Sequence, residues 1–221
     1  DVGGESTRPG ARAPDESEEL RRVVPVIERL AVEVGLPISV DTRRASVAKA
    51  AVAAGAEVIN DVSGLTHDPQ MVETAARLGA GVIIMHMRGE PDTMDSLAVY
   101  ADVASDVARE LAALRDRAVA AGIAREAIVV DPGFGFAKTS EQNFSLLARL
   151  GSIVELGHPV LVGPSRKRFL GAATGRGVNQ RDAATAAACV AARLLGARLF
   201  RVHDVAGVVE ALKVADAIMR G

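Results

Sequence analysis

Polar residues with chemical capacity recur in this sequence directly after short apolar, β-branched runs. They are Glu5-Ser6-Thr7-Arg8, Asp41, Asn60-Asp61, His86, Asp131, Ser165-Arg166-Lys167, and Arg201 with His203. Asp41, Asn60 and Asp131 are short acceptor or amide side chains. A carboxylate accepts two hydrogen bonds from adjacent N–H donors, and an Asn both donates and accepts. The three therefore suit the edge of a flat, nitrogen-rich heterocycle. Arg8, Lys167, Arg201 and His203 are donors suited to an anion. Arginine offers a planar fork to phosphate oxygens, lysine a compact charge, and histidine a donor or an acid–base group. The segment Asp131-Pro132-Gly133-Phe134-Gly135-Phe136-Ala137-Lys138 adds two glycines and two of the chain's five phenylalanines. The glycines permit unusual backbone angles and close approach, and phenylalanines in a loop suit a flat apolar ligand.

Each feature has a structural alternative. Asp41 or Asp131 taken alone also reads as the N-cap of the next helix. Arg166-Lys167-Arg168 also reads as a solvated charge run, and one of the two loop phenylalanines as a hydrophobic anchor. Joint placement after nearly every apolar run is what favours chemistry.

The elements that must position these residues follow one repeating pattern. Short apolar runs predict strands at 38–40, 58–59, 82–85, 128–130, 160–162 and 199–202, with 1–2 as the tail of an earlier one. Between them lie helical stretches. Residues 16–34 carry Leu20, Val23, Val24, Ile27, Leu30 and Ala31 near a helical period. Asp68-Pro69 predicts an N-cap followed by a first helical position. Residues 99–121 are amphipathic and end at Gly122, 182–195 end at Gly196, and 205–219 follow Asp204 as a plausible N-cap.

Strands alternating with helices imply parallel strands joined by crossovers. A (β/α)8 barrel needs eight strands and about 250 residues. Seven strand signals in 221 residues fit an α/β TIM barrel lacking its first strand–helix unit. In such a barrel the C-terminal strand ends face one mouth, where active sites form, so the polar residues are expected to converge there. An open doubly wound sheet is the alternative, but no G-x-G-x-x-G follows any strand. Residues 1–221 read as one domain. The chain starts at Asp1, at what looks like a strand end, and reads as N-terminally incomplete.

Composition narrows the class. Hydrophobic residues make up 49% and charged residues 24%, as in soluble globular proteins. Aromatics are 3%, with no Trp and one Tyr, so the core is expected to be Ala, Val, Leu and Ile. A net charge of −2 gives no basic field for nucleic acid or membrane surfaces. Cys189 is the only cysteine, which excludes a disulfide framework and a cysteine-based zinc site, and its Ala-rich surroundings predict a small buried residue. No apolar stretch is long enough to span a bilayer and no signal peptide is visible, so a cytoplasmic location is expected.

Taken in order, seven segments resemble dihydropteroate synthases. They are Asp1-Val2-Gly3-Gly4-Glu5-Ser6-Thr7-Arg8-Pro9-Gly10, Ser39-Val40-Asp41-Thr42, Ile59-Asn60-Asp61-Val62-Ser63-Gly64, Met85-His86-Met87-Arg88-Gly89, the 131–138 segment, Gly163-Pro164-Ser165-Arg166-Lys167 and Arg201-Val202-His203-Asp204. The resemblance implies a homodimeric TIM-barrel transferase of folate biosynthesis. It would condense 6-hydroxymethyl-7,8-dihydropterin pyrophosphate with p-aminobenzoate, assisted by Mg2+, to give 7,8-dihydropteroate and pyrophosphate. By the same resemblance Asp41, Asn60, Met85, Asp131 and Lys167 would line the pterin pocket. Thr7, Arg201 and His203 would serve pyrophosphate, and Arg8, Pro9, Phe136 and Ser165 would serve p-aminobenzoate, where sulfonamides compete. Asp131, Lys167, Arg201 and His203 would be catalytic. No residue is assigned as a metal ligand, because the family's metal-binding Asn lies on a first strand that precedes Asp1. The alternatives are a methyltetrahydrofolate-dependent methyltransferase, which has no leaving pyrophosphate to need Lys167 and Arg201, and a non-catalytic pterin-binding protein.

Overall fold

The computed structural model describes residues 1–6, 14–90 and 92–221. Two compact units can be separated: Asp1–Met87 with Leu111–Val129, and Arg88–Glu110 with Val130–Gly221.

The first unit holds β1 (Val2–Gly3), α1 (Glu16–Glu33), β2 (Ser39–Asp41), α2 (Ala45–Ala53), β3 (Val58–Asp61), α3 (Met71–Leu78) and β4 (Gly81–Met85). β1 to β4 pair in that order, each parallel to the next, with Asp41 beside Asn60 and Asp61 beside Ile84. Parallel strands covered by helices are buried on both faces, which explains why these runs are continuous aliphatics rather than alternating. Val40, Ile59, Val82 and Ile84 are fully buried, as are Val47 of α2 and Met71 of α3. Polar chemistry is thereby confined to strand ends.

α1 begins where the sequence places it. Asp15 accepts a hydrogen bond from the Glu18 N–H at 2.8 Å, an N-cap. α3 does not. The Asp68-Pro69 start expected from the sequence is displaced to Met71, because the Asp68 carboxylate accepts from the Ala45 N–H at 2.8 Å and so caps α2 instead. Glu19 of α1 is completely buried beneath the turn after β2. It accepts from the Thr42 hydroxyl at 2.6 Å and pairs with Arg44.

α4 (Val103–Ala120) begins in the second unit and ends in the first. The helix expected over 99–121 is shorter at its start. Asp102 accepts from the Ser105 N–H, and Asp106 accepts from the N–H groups of Ala101 and Asp102, so these carboxylates close the entry and leave Val99 and Tyr100 outside. β5 (Ile128–Asp131) likewise begins in the first unit.

The second unit continues with α5 (Ser140–Ala148), α6 (Gly151–Val154), β6 (Leu161–Val162), α7 (Arg168–Thr174), α8 (Asp182–Leu194), β7 (Leu199–Phe200) and α9 (Val205–Arg220). Val130 bridges Val160 in parallel, and β6 pairs with β7 in parallel, Leu161 beside Leu199. A capping box opens α5: Thr139 accepts from the Gln142 N–H, and the Gln142 side chain accepts from the Thr139 N–H. Asp204 accepts from the Gly207 N–H as the expected N-cap of α9. Cys189 is fully buried on α8, and burial pushes its thiol up to about 12. Seven strands are present among the described residues, matching the seven sequence signals.

Removing the buried acceptor under β2 should be costly. Glu19→Ala strands the Thr42 hydroxyl and the partly exposed Arg44. A loss of about 2–4 kcal/mol is expected in urea unfolding, below the figure for a fully buried pair because Arg44 reaches solvent. A loss under 0.5 kcal/mol would show that the turn after β2 does not depend on Glu19.

Candidate functional site

In the first unit the expected residues stand together at the C-terminal ends of adjacent parallel strands. Asp41 is the last residue of β2, Asn60 lies beside it on β3, and Met85 ends β4; all three are buried. Asp41 is not an N-cap, since α2 follows Arg44 with no side-chain cap, so that structural alternative does not apply. The Asn60 amide reaches toward the Asp1 carboxylate, at 3.4 Å from each oxygen. The neighbouring Asp61 has a different task. Its Oδ1 accepts from the Ser63 N–H at 2.7 Å and from the Ser63 hydroxyl at 2.6 Å, closing the turn. Burial raises its carboxyl to about 6, opposed by the Ser63 bonds and by the charges of Arg43 and His67. Gly64 follows at φ 66°, where a Cβ would lie 2.9 Å from the Met85 carbonyl oxygen. Only glycine fits that approach to the end of β4.

Glu5 is held from the turn after β2. Arg43 donates to its carboxylate at 2.6 Å, with both side chains less than a tenth exposed. Thr7, Arg8 and Pro9, expected to serve pyrophosphate and p-aminobenzoate, lie outside the described residues. His86 is buried directly after β4.

In the second unit Asp131 ends β5 and is buried. It is not a helix cap either, because α5 is capped by Thr139. Its Oδ1 accepts from the Gly133 N–H at 2.7 Å. Burial pushes the carboxyl up to about 6, against the pull of that N–H and of the positive charges on Lys167, Lys138 and Arg201. Lys167 reaches this field because Gly135, at φ 79°, leaves room for its stem: a Cβ there would sit 2.9 Å from Lys167 Cδ. The Lys167 ammonium stands 4.0 Å from the centre of the Phe136 ring, a cation–π contact.

The charge run divides three ways. Arg166 makes a two-pronged bond to Asp182 at 2.8 and 3.0 Å, and Arg168 pairs with Asp95 at an exposed position. Lys167 alone of the three lies among the candidate residues. The two loop phenylalanines also divide. Phe134 packs at 6.1 Å from the Phe169 ring as the hydrophobic anchor, and Phe136 carries Lys167.

Ser165 and His203 form a pair absent from the sequence expectations. The Ser165 oxygen lies 2.7 Å from His203 Nδ1 and accepts the backbone N–H of His203 at 3.2 Å. The backbone bond makes the hydroxyl a tether between the ends of β6 and β7. Arg201 and His203 are exposed. Sequence reading missed Lys138 as well, a buried ammonium inside the 131–138 segment. The signal available was a lone charge closing an otherwise apolar, glycine-rich run. Among the described residues, no group of three His, Cys, Asp or Glu side chains could hold a metal ion, and no helix is long and apolar enough to cross a membrane.

These strand-end residues define a class. The family described as pterin binding enzyme matches residues 1–203. The dihydropteroate synthase of a Synechocystis strain is 45% identical over the whole chain, which covers 76% of that protein. A crystal structure of the Yersinia pestis dihydropteroate synthase in a sulfonamide drug complex has a TM-score of 0.96 at 42% identity, covering 99% of this chain and 79% of its own. The Xanthomonas albilineans dihydropteroate synthase with 4-aminobenzoic acid has a TM-score of 0.93 at 49% identity, covering 98% and 77%. The chain belongs to the dihydropteroate synthase family, and its fold class is the α/β TIM barrel expected from the sequence.

The raised carboxyl of Asp131 has a consequence for stability. A group whose folded pKa is raised contributes stability at low pH that is lost as pH rises through the folded value. Asp131→Asn has no such loss. The stability of the variant minus that of the parent should therefore grow between pH 4 and 7, by roughly 2–3 kcal/mol. A flat difference in chemical denaturation across that range would rule out a buried, ionising Asp131.

Proposed function

We propose that this chain is a transferase of folate biosynthesis that condenses 6-hydroxymethyl-7,8-dihydropterin pyrophosphate with p-aminobenzoate. The observation that carries the reading is Asp131: a carboxyl buried at a strand end, accepting a backbone N–H, in the field of Lys167 and Arg201. In this reading residues 1–221 act as one pterin-binding domain. The protein works as a cytoplasmic homodimer, with small molecules and not nucleic acid or membrane as its partners.

The bond from the pterin methylene carbon to the pyrophosphate oxygen breaks, and the arylamine nitrogen forms a new bond to that carbon. The amine then loses a proton, and pyrophosphate leaves with the bonding electrons. Departure builds negative charge on the leaving group and positive charge on the pterin. Asp131, ionised above about pH 6, accepts from the pterin N–H edge and lowers the cost of the positive charge. Asp41 and Asn60 complete recognition of that edge, and Met85 supplies an apolar wall. Arg201 and His203 face the developing anion, with Thr7 as a further donor, and Lys167 lines the pterin pocket. The Ser165 contact to Nδ1 orients the imidazole of His203. Arg8, Pro9, Phe136 and Ser165 hold p-aminobenzoate, and sulfonamides occupy the same place. Positioning of the amine supplies much of the rate.

Mg2+, which the family resemblance implies, belongs to the reading as a cofactor that would stabilise the leaving pyrophosphate. The described residues offer it no cluster of three His, Cys, Asp or Glu side chains.

Pyrophosphate release that depends on p-aminobenzoate is the direct test, and its absence from the purified protein would refute the reading. Asp131→Asn should lower kcat/KM by about 2–4 kcal/mol of transition-state stabilisation. Unchanged turnover would remove Asp131 from the reaction. Arg201→Ala should weaken binding of the pterin pyrophosphate more than that of the free hydroxymethyl pterin. Equal losses for both ligands by calorimetry would take Arg201 out of the pyrophosphate site.

A further inference from the structure

Between Asp131 and Phe136 the chain turns through Gly133 at φ 68°, Gly135 at φ 79° and then Ala137 at φ 49°. A segment in such conformations cannot use helix or sheet ladders, so its buried carbonyl groups need donors from elsewhere. The Gly133 carbonyl accepts the Phe136 N–H at 3.1 Å within the turn, and three side chains supply the other donors. Lys138 is buried, and its Nζ donates to the carbonyl oxygens of Gly133 at 3.1 Å and Phe136 at 3.0 Å. The Tyr100 hydroxyl donates to the Ala137 carbonyl at 2.9 Å. Asn143 of α5 accepts from the Gly135 N–H at 2.7 Å and donates to the carbonyl of Lys138 at 3.3 Å. Tyr100 is itself held by Arg88, whose guanidinium stacks 3.9 Å from the ring centre and pairs with Glu110.

Burying an ammonium is expensive, and a lysine here has two return effects that a neutral residue would lack. As a charged donor it binds two carbonyl groups more strongly than an amide would. Its charge also falls on Asp131, at the other end of the same turn. The charged groups acting on Lys138 come from every neighbouring segment. They are Asp131 from β5, Glu110 from α4, Arg88 from the turn after β4, and Lys167 from the turn after β6.

We propose that Lys138 is a positioning residue of the condensation: it latches the Gly133 and Phe136 carbonyls, so that Asp131 and Phe136 keep their places, and its charge favours ionised Asp131. The role rests on the dihydropteroate synthase reading above. Burial lowers the Lys138 ammonium to about 7, with Arg88 and Lys167 adding to the shift and Asp131 and Glu110 opposing it. As pH rises through that value the amine keeps two N–H donors but loses its charge. The latch then weakens without opening, and Asp131 loses one of the cations that support it.

Three variants of the whole protein separate these effects. Lys138→Gln keeps two N–H donors without the charge, Lys138→Met keeps only an apolar stem, and Tyr100→Phe removes the bond to Ala137 alone. kcat and KM for p-aminobenzoate would be measured across pH, beside thermal unfolding. In Lys138→Gln the acid limb of kcat should move upward by roughly half a pH unit to one unit, as expected when a carboxylate loses a facing cation. Lys138→Met should add a rise of about fivefold or more in KM for p-aminobenzoate, through a displaced Phe136. Tyr100→Phe should raise that KM about two- to fivefold and leave the acid limb in place. A purely structural lysine would lower thermal stability and move neither the limb nor the KM; that result overturns the role. If neither Lys138 variant folds, Tyr100→Phe decides, and an unchanged KM overturns the latch. A parent protein with no condensation activity overturns the functional reading and this role with it.

Discussion

A carboxylate removed from water persists as a charge only where N–H donors and cations surround it, and the second unit is organised around meeting that condition for Asp131. The strand carries Asp131 out of a layer in which both faces are aliphatic. The Gly133 N–H then turns back onto it, Lys138 brings positive charge from the far end of the same turn, and Lys167 and Arg201 bring it from two later segments. Each cation makes its own demand. Lys167 needs the missing side chain of Gly135, Lys138 needs two carbonyl groups facing inward, and Arg201 needs β7 beside β6. The unusual backbone of residues 133–137 follows from these requirements together. The first unit solves a milder version at Asp61, where Ser63 supplies both an N–H and an O–H to one carboxylate oxygen.

Much of this was legible because parallel strands leave little choice. Where both faces of a strand are buried, a polar residue can stand only at an end, so Asp41, Asn60 and Asp131 marked strand ends without any structure. Helix periodicity placed α1 within a residue, and the flanking Gly196 and Asp204 placed α8 and α9 as closely. The errors arise where a side chain binds backbone groups that no period marks, on another element or at a helix entry. Asp68 looks like the cap of the helix beside it, but caps α2. Val99 and Tyr100 look helical, yet Asp102 and Asp106 close α4 behind them. Asn143 and Tyr100 have no motif of their own, and their distances to the carbonyl and N–H groups of the 131–138 segment reveal them; Lys138 closes that segment, but its task is read from its two carbonyl partners.

The run Arg166-Lys167-Arg168 shows how three like charges in sequence come to differ. Arg166 adopts a left-handed backbone, φ 58°, that turns its guanidinium to Asp182 and its N–H to Thr185. The reversal sends Lys167 over Phe136, and the chain then enters α7 with Arg168 at the surface. Bidentate pairing suits Arg166 in a way a lysine could not match, so the strained residue in the run is the arginine with the ion pair.

Tyr100, the only tyrosine in a chain without tryptophan, has a use beyond its bond to Ala137. With no indole to absorb its energy, its phenol emission stands alone among these 221 residues. The phenol lies under a guanidinium and hydrogen-bonds the turn between Asp131 and Phe136, and burial pushes its own ionisation up to about 12. Native fluorescence therefore reports on that one turn, with no label required and with no change of signal from phenolate formation across the working pH range.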